Sequence, residues 1–529
     1  MYGMQIMVNS PSYLPRALLQ LDNVEVTQSG QAFRLGRYSI HWHMHGDVAY
    51  QSWVRGCSIH HTYNRAVTIH GTHRAIIAGT LAYKAMGHTF FLEDGVESGN
   101  ILENNIGIYT RTSDALLNTD TTPATFWITN PNNTVRNNVA AGSQAYGFWY
   151  RLLDNPEGPS FTTTVCPKFT QMVQFSNNTA HSNMFYGLRI HPEYYPRNDP
   201  CKGFSGTFAQ TPAIFTGLTA YKNGMKGFVG TQMGLVQLTN AVLGDNGGGP
   251  LAHIVNGKDN GGDAEFSWIV DDRNRFNINM TDMAGIINAT IYARTSSGTG
   301  AAAGSAAQWP SGRRVTGLIT QSPVKGDSKH SALMSVINVT FVDFSPTTSG
   351  SGFSALEACG KCKTFQGGST AFTSGLKFVQ SDGGKPMLSY WSWGHQGIYQ
   401  DTDGSLLNAQ TLPSLPSNFS LGPGATWHSA VDNNLFDPAE CVYMRGTATS
   451  NDGAYCSPAL QFRRVMLNRH DPESLAFRNL RVTATATNRT SLVYFTVYNE
   501  HGYQFTVPVN RNYWVHWDSV FRVDPSSFT

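Results

Sequence analysis

The feature that most constrains the fold is a sequence template that returns at a fixed interval. It appears in three segments: VAAGSQAYGFWYR (139–151), TAHSNMFYGLRIH (179–191) and TAYKNGMKGFVG (219–230). These segments place Gly147, Gly187 and Gly227 at a constant spacing of 40 residues. Repeats of about 20 to 50 residues are typical of solenoids, in which each unit buries its apolar face by stacking on the next. Because each unit contains short β-type runs separated by polar turns, we predict an all-β fold, a right-handed parallel β-helix.

An irregular β-sandwich is the alternative fold. The strands of a sandwich recur about every 8 to 12 residues without long-range self-similarity, so the 40-residue spacing disfavours it. Within the predicted coils, pairs of asparagines are expected at the corners, because Asn tolerates left-handed backbone angles. These pairs are Asn104–Asn105, Asn137–Asn138 and Asn177–Asn178.

The sequence also predicts how the chain is divided. We assign residues 1–424 to the β-helix, with Gly-rich insertions near 243–263 and 296–314. From residue 425 to 529 the strand-like runs become longer and are separated by turns, which predicts a small C-terminal antiparallel β-module.

The low content of charged residues limits the kinds of molecule that this chain is expected to bind. Only 14% of the residues are charged, against about 25% in average soluble proteins, and the formal net charge is +2. Such a chain has no overall field to attract nucleic acid. No apolar run approaches the roughly 20 residues that cross a bilayer, so we expect no membrane span in this chain.

Cysteines and glycosylation sequons indicate an extracellular or cell-surface location. We predict disulfides between Cys166 and Cys201 and between Cys441 and Cys456, and a local one between Cys359 and Cys362, whose CxxC is otherwise half a zinc site. The remaining Cys57 is expected to be a buried free thiol. Seven asparagines begin N-x-[ST] without an intervening proline: Asn132, Asn177, Asn279, Asn288, Asn338, Asn418 and Asn488.

The first 30 residues lack the pattern of a secretory signal peptide and resemble solenoid sequence instead. We therefore expect the chain to be part of a longer secreted protein. An uncapped first coil would also permit end-to-end self-association or docking on a preceding portion.

The segment RYSIHWHMHGD (37–47) is the sharpest local signal. Strict alternation predicts four apolar side chains on the core face: Tyr38, Ile40, Trp42 and Met44. It places His41, His43 and His45 on the outer face. These imidazoles can bind a divalent metal, with Asp47 as a further ligand, and no other cofactor is indicated. The alternatives are a ladder of hydrogen-bonded histidines and direct acid–base catalysis.

Carboxylates near these histidines are candidates for glycoside cleavage, in which one acid protonates the leaving oxygen and a second acts as base. We assign Asp94 as general acid and Asp47 or Asp120 as base, with His43 and His88 positioning the sugar. If the strand continues through Glu93 and Asp94, these two side chains point to opposite faces, so they are not predicted to form the pair. A turn-capping Asp94 before Gly95 is the alternative.

Aromatic and cationic residues further along predict a sugar-binding surface. Trp127 and Trp149 are expected to stack on pyranose rings, and Arg151 and Arg189 to meet a carboxylate of the sugar.

Four segments carry a resemblance to a known family: RYSIHWHMHGD, VRGCSIHHTYNRAVTIHGTH, MGHTFFLEDGVESGNILENNIG and NTDTTPATFWITNPNNTVRNNVAAGSQAYGFWYR. They resemble the β-helix region of the G8-domain family, that of fibrocystin-L above all, and also the cell-migration-inducing hyaluronan-binding proteins. The resemblance is dense over residues 37–230, thinner over 331–410 and weak beyond 425. It implies a secreted or cell-surface protein and, in one branch, hyaluronan depolymerisation. The chain departs from the family in lacking a G8 module ahead of the helix.

The sequence is compatible with three functions. The first is an extracellular β-helix glycoprotein that binds a polysaccharide or a partner protein without catalysis, as part of a larger assembly. The second is an endo-hydrolase of hyaluronan or a related uronic-acid polymer. The third is a structural subunit of an extracellular filament.

Overall fold

The structure is a computed structural model. It describes residues 1–10, 16–114, 118–207, 209, 211–247, 261–269, 279–293, 315–320, 333–344, 353–357, 370–379, 387–388, 397–406, 423–429, 435, 437, 439–444, 453–458, 460, 462–468, 478–493, 502–508 and 510–518. The chain forms two compact units, residues 1–264 with 289–309 and residues 265–288 with 310–529.

These ranges contain 43 strands.

The first unit contains eight successive coils, and each coil contributes one strand to each of three parallel sheets. We number the coils 1 to 8 by their strands in sheet 1: Ile6–Val8, Ile40–Asp47, Val67–His73, Phe90–Leu92, Ala124–Ile128, Tyr146–Tyr150, Tyr186–Ile190 and Lys226–Met233. Sheet 2 contains Gln20–Asp22, Trp53–Arg55, Ile76–Ala78, Ile101–Glu103, Thr134–Arg136, Gln174–Ser176, Ala213–Thr216 and Val236–Thr239. Sheet 3 contains Glu25–Thr27, Ser58–His60, Leu81–Tyr83, Ile106–Ile108, Val139–Ala141, Thr179–His181, Thr219–Tyr221 and Val242–Gly244 from these coils. A ninth strand of this sheet in the first unit, Thr290–Tyr292, follows the eight coils.

Short 3-10 helices interrupt the coils at Asn118–Thr121, Gly158–Ser160, Pro167–Phe169 and Pro200–Ser205. The core lies between the three sheets, where like side chains stack from coil to coil. The rings of Phe90, Phe126 and Phe148 follow one another at centroid distances of 4.8 and 4.7 Å. Such stacking gives each coil a buried apolar face that it could not bury alone.

The corners behave as the asparagine pairs predict. Asn104, Asn137 and Asn177 adopt positive φ angles of 57°, 56° and 54°. The second member of each pair is buried, and its side chain forms hydrogen bonds with a neighbouring coil. For example, the Asn138 backbone N–H donates to Asn178 Oδ1 at 2.9 Å.

The repeated glycines have a steric cause. A Cβ added at Gly147 would lie 2.6 Å from the carbonyl oxygen of Gly187, and one at Gly187 would lie 2.6 Å from that of Gly227. Each glycine therefore stacks directly on the next, which explains their constant spacing.

The second unit begins with parallel strands and ends with antiparallel ones. The parallel strands are Gly285–Ile287, Val315–Thr320, Leu333–Ile337, Thr340–Val342, Phe353–Glu357, Thr370–Ser374, Lys377–Val379, Met387–Leu388 and Gly397–Asp401. The antiparallel strands are Thr426–Ser429, Cys441–Met444, Gly453–Cys456, Phe462–Asn468, Leu480–Ala484, Arg489–Val493, Gly502–Pro508 and Tyr513–Trp517. A 3-10 helix spans Met280–Asp282.

The predicted fold class, a parallel β-helix with small antiparallel sheets at the C-terminal end, is confirmed. The domain boundary at 424 stays a prediction. Strands occupy Val242–Gly244 and Gly261–Ile269, at the two ends of the first predicted Gly-rich insertion, and residues 248–260 lie outside the described residues. Residues 296–314 lie outside the described residues.

Two predicted disulfides are formed, Cys166–Cys201 and Cys441–Cys456. Cys57 is a buried free thiol, as expected, whereas Cys359 and Cys362 lie outside the described residues. Six of the sequon asparagines are exposed, and Asn418 is outside the described residues. Among the described residues, no helix combines the length and the apolar character needed to cross a membrane.

Candidate functional site

The outer face of sheet 1 in coils 2 to 7 carries the candidate site. Strand register aligns one residue from each coil into a row: His41, Thr68, Phe91, Trp127, Trp149 and Arg189. In the neighbouring row His43 is aligned with His70. Since parallel strands lie about 4.8 Å apart, these residues form one continuous surface although they are distant in sequence.

The histidine-rich strand of coil 2 contains an irregularity that alternation does not anticipate. The pairing with coil 3 shifts between His43 and Gly46, so that coil 2 has one extra residue there. Met44 adopts a φ of 49° and is exposed, which corrects its predicted place in the core. The bulge also separates His45 from the other imidazoles, because its Nε2 lies 2.5 Å from the Ala17 carbonyl oxygen.

Tyr38 is buried, as predicted, and is 1% exposed. It precedes the strand of coil 2, which begins at Ile40, so strand alternation does not set the direction of its side chain. The Tyr38 hydroxyl instead donates to Glu93 Oε1 at 2.8 Å on the outer side of the sheet.

Two adjacent carboxylates flank one histidine at the centre of the site. His70 Nε2 lies 2.7 Å from Asp94 Oδ2, and His70 Nδ1 lies 3.5 Å from Glu93 Oε2. The strand of coil 4 ends at Leu92, so Glu93 and Asp94 are released from alternation. The condition for opposite faces, a strand that continues through both residues, is therefore not met, and both carboxylates lie beside His70.

A buried glutamate supports the turn that presents these two carboxylates. Glu97 Oε1 accepts hydrogen bonds from the N–H groups of Gly71 (2.9 Å) and Asp94 (3.1 Å), and Oε2 accepts one from Gly95 (2.7 Å). Because the turn depends on these bonds, Glu97 positions Asp94 beside His70.

Burial and neighbouring charges shift the titration of the cluster. Burial lowers the pKa of His41 to about 3, and it raises the pKa of Glu93. Burial alone would raise the pKa of Asp94, but the hydrogen bond from His70 lowers it. The pKa of His70 is raised, because Asp94 and Glu93 outweigh the effect of burial. Such opposed shifts in one small cluster are typical of functional sites.

An ion pair lies beside this cluster and is fully enclosed. Arg65 Nη2 is 2.8 Å from Asp120 Oδ2, and the guanidinium lies 3.6 Å from the centroid of the Phe91 ring. His88 is also buried, with Nδ1 accepting the Ala124 N–H at 2.9 Å and its ring 4.0 Å from that of Trp127. Burial lowers the pKa of His88 to about 3.

Aromatic rings and arginines continue the face through coils 5 to 7. The Arg189 guanidinium carbon lies 4.4 Å from the Trp149 ring centroid, and Nη1 donates to the Tyr146 hydroxyl at 2.8 Å. Arg151 lies over Trp127 at 5.7 Å but forms an ion pair with Glu157 at 2.8 Å. The indoles themselves are covered, since Trp127 is 2% and Trp149 is 6% exposed.

A loop over residues 154–170, here called the covering loop, closes one side of the cluster. Its Glu157 N–H donates to the Asp94 carbonyl oxygen at 2.8 Å, and Ser160 hydrogen-bonds to the Asp94 carboxylate. Gly158 has a φ of 59°, and a Cβ there would lie 3.1 Å from Asp94 Oδ1. The disulfide from Cys166 ties the loop to Cys201.

The structure thus divides the predicted site residues into groups. His41, His43 and Asp94 meet at His70, whereas Asp120 and His88 lie in the enclosed pocket with Arg65. Asp47 lies past the bulge and pairs with Arg74 on the exposed side.

Sequence reasoning missed the roles of Tyr38, Arg65, Glu93 and Glu97. The signal that could have revealed Glu93 is the LEDG segment, because a Gly that follows two acidic residues marks the end of a strand.

Fold and site together define a parallel β-helix protein with one outer sheet face rich in buried ionisable groups. Residues 2–188 match the family model described as CEMIP beta-helix, so this part of the chain is similar to that family and the predicted resemblance is confirmed.

The relatives agree with this assignment. Mouse fibrocystin-L is 33% identical over 486 residues, which cover 90% of this chain and 10% of fibrocystin-L. The human cell surface hyaluronidase CEMIP2 is 35% identical over 280 residues, which cover 43% of this chain and 20% of the relative. The chain therefore corresponds to about a tenth of the length of fibrocystin-L.

Among solved structures, the A-module of the Azotobacter vinelandii mannuronan C-5 epimerase AlgE4 aligns with a TM-score of 0.30 and 12% identity. The alignment covers 70% of this chain and 87% of the module.

Proposed function

We propose that the outer face of sheet 1 binds an acidic polysaccharide outside the cell. The observation that carries this proposal is Arg189, a partly exposed cation held among aromatic rings. Among the described residues no carboxylate forms an ion pair with it. An arginine held in this way retains its donors for an anionic ligand, and its planar fork matches a carboxylate.

The surroundings of Arg189 favour a sugar acid over a simple anion. The guanidinium carbon lies 4.8 and 5.8 Å from the ring centroids of Tyr146 and Tyr186, and Tyr186 is partly exposed. A partly exposed aromatic edge beside a cation offers both an apolar contact and a charge to a uronic acid. Trp127 and Trp149 support this surface from beneath, because their own rings are covered.

Two further observations support an extracellular setting. Two disulfides are formed and six sequon asparagines are exposed. One relative is named a cell surface hyaluronidase and another a hyaluronan-binding protein, so hyaluronan is the first polysaccharide to test.

Binding is tested with immobilised hyaluronan and with neutral dextran, comparing the wild-type chain with Arg189→Met. Loss of a hydrogen bond to a charged group costs about 1.5–3 kcal/mol, so we expect affinity for hyaluronan to fall roughly ten- to 150-fold. The matched control is Arg136→Met, because Arg136 is a partly exposed arginine on sheet 2 that pairs with Glu103. Equal loss in both variants, or equal binding of dextran and hyaluronan, would refute the proposal.

Hydrolysis of the bound polymer is a second candidate, favoured by the pair Glu93 and Asp94. Both carboxylates lie within 3.5 Å of the same imidazole, that of His70, which keeps them closer than the roughly 9.5 Å limit of glycosidase pairs. The pKa of Glu93 is raised and that of Asp94 is lowered, which favours Glu93 as the acid and Asp94 as the base, the reverse of the role predicted for Asp94 from the sequence.

Chain shortening of hyaluronan by the purified protein tests this second candidate. We expect Asp94→Asn to abolish the shortening and Asp22→Asn, on sheet 2, to leave it unchanged. If the wild-type protein binds hyaluronan but does not shorten it, the hydrolase candidate is refuted and only the binding function is supported.

A further inference from the structure

Three side-chain atoms from three successive coils converge on one point beneath the outer face of sheet 1. They are His41 Nε2 from coil 2, His70 Nδ1 from coil 3 and Glu93 Oε2 from coil 4, and all lie within 4.8 Å of one another. Glu93 Oε2 is 3.8 Å from His41 Nε2 and 3.5 Å from His70 Nδ1. These separations are too long for hydrogen bonds.

Two of these atoms lack a hydrogen-bond partner although they are buried. Within the part of the chain that the structure describes, neither His41 Nε2 nor Glu93 Oε2 has one. A buried polar atom without a partner costs about 1–3 kcal/mol, and more when it carries charge. Two such atoms that face each other therefore indicate a ligand between them.

The other polar atom of each side chain is already held. His41 Nδ1 lies 3.1 Å from the Gly36 carbonyl oxygen, and His70 Nε2 lies 2.7 Å from Asp94 Oδ2. The remaining oxygen of Glu93, Oε1, accepts the hydrogen bond of Tyr38. Metal-binding histidines usually donate their second N–H to a carbonyl or carboxylate, and metal-binding carboxylates are themselves hydrogen-bonded.

We propose that His41, His70 and Glu93 bind one divalent transition-metal ion of the zinc class. For metal–ligand bonds of about 2.1 Å, tetrahedral ligand atoms are roughly 3.4 Å apart, close to the two separations found here. Two imidazoles and one carboxylate suit zinc, whereas calcium and magnesium prefer oxygen ligands in larger number.

The charges and the open side of the site fit the same ion. The carboxylates of Glu93 and Asp94 balance a double positive charge, and the nearby Arg65 is paired with Asp120. His43 borders the site, its ring centroid 5.1 Å from that of His41 and 5.2 Å from that of His70. His43 is partly exposed, so the cluster borders solvent on this side. If Glu93 binds the ion, its carboxylate is no longer available for proton transfer. The metal-site proposal does not depend on the proposal that the protein binds a polysaccharide.

This site differs from the predicted set His41, His43 and His45. The bulge after His43 removes His45, and coil stacking brings in His70 and Glu93 from the next two coils.

The test measures metal content after the full chain is stripped with chelator, incubated with zinc sulfate and desalted. We expect about one zinc per chain in the wild type and none in Glu93→Gln or His41→Ala. Cobalt in place of zinc adds a visible absorption spectrum that reports tetrahedral coordination, and this spectrum should disappear in Glu93→Gln. Asp94→Asn should weaken zinc binding about ten- to 100-fold, because Asp94 orients His70.

The matched control is His60→Gln. His60 lies on sheet 3 beside His61 and Glu25 and would account for adventitious surface binding. We expect this variant to keep its zinc. The near-isosteric Glu93→Gln keeps the test decisive if His41→Ala does not fold. Absence of stoichiometric zinc in the wild type, or zinc lost in His60→Gln and kept in Glu93→Gln, would overturn the proposal.

Discussion

The enclosed ion pair between Arg65 and Asp120 allows a quantitative prediction. The two side chains are 1% and 4% exposed, so neither charge can be solvated when its partner is removed. Breaking a buried pair from one side costs about 3–5 kcal/mol. We expect Asp120→Asn to destabilise the protein by that amount.

The expected loss is local, because each coil of a solenoid contacts only its neighbours. Amide hydrogen exchange followed by mass spectrometry resolves it better than a single melting temperature. A cost of about 3–5 kcal/mol corresponds to roughly two to three and a half orders of magnitude in the opening equilibrium. The loss of protection should be concentrated in coils 3 to 5, which contain Arg65, His88 and Asp120.

The control is Glu103→Gln, which breaks a partly exposed pair with Arg136 on sheet 2. These side chains are 23% and 43% exposed, and such pairs contribute only about 0–1 kcal/mol. In the double variant Arg65→Met/Asp120→Leu much of the lost stability should return, because no unpaired charge remains. If Asp120→Asn costs no more than Glu103→Gln, the reasoning is refuted and Arg65 has another counter-charge.

Three further predictions address the corner ladder, the covering loop and pH. Asn178→Leu leaves buried ladder partners unsatisfied and should cost at least ~2 kcal/mol in urea unfolding, whereas the exposed Asn177→Gly, at a φ of 54°, should change stability little. Replacing Cys166 and Cys201, 35 residues apart, by serine should cost about 3.8 kcal/mol and expose the covering loop to protease. Burial raises the pKa of Asp120, but His88 and Arg65 outweigh it and hold that pKa below its usual value. A depressed pKa stabilises the fold above the unfolded value of about 3.9, so stability should fall as pH drops below it, and less steeply in Asp120→Asn.

Much of the fold could be predicted from the sequence, because its causes recur in every coil. The spacing of Gly147, Gly187 and Gly227 reflects direct stacking of one glycine on the next. The Cys166–Cys201 and Cys441–Cys456 disulfides join residues 35 and 15 positions apart, and both pairings were predicted from the sequence.

The candidate site was only partly predictable. The sequence placed His41, His43 and Asp94 on one surface, and the structure brings them together around His70. The sequence did not reveal that Glu93 joins Asp94 on the same side.

Alternation along a strand is a local rule, and it decides which side chains face outward only while the strand persists. At Tyr38 the strand has not begun, after His43 a bulge interrupts it, and at Glu93 it has ended. Each of these positions is set by pairing with a neighbouring coil, a long-range contact that no single segment encodes. The sequence by itself therefore determined the repeating coil and its corners, whereas only the tertiary structure decided which ionisable groups meet on the outer face of sheet 1.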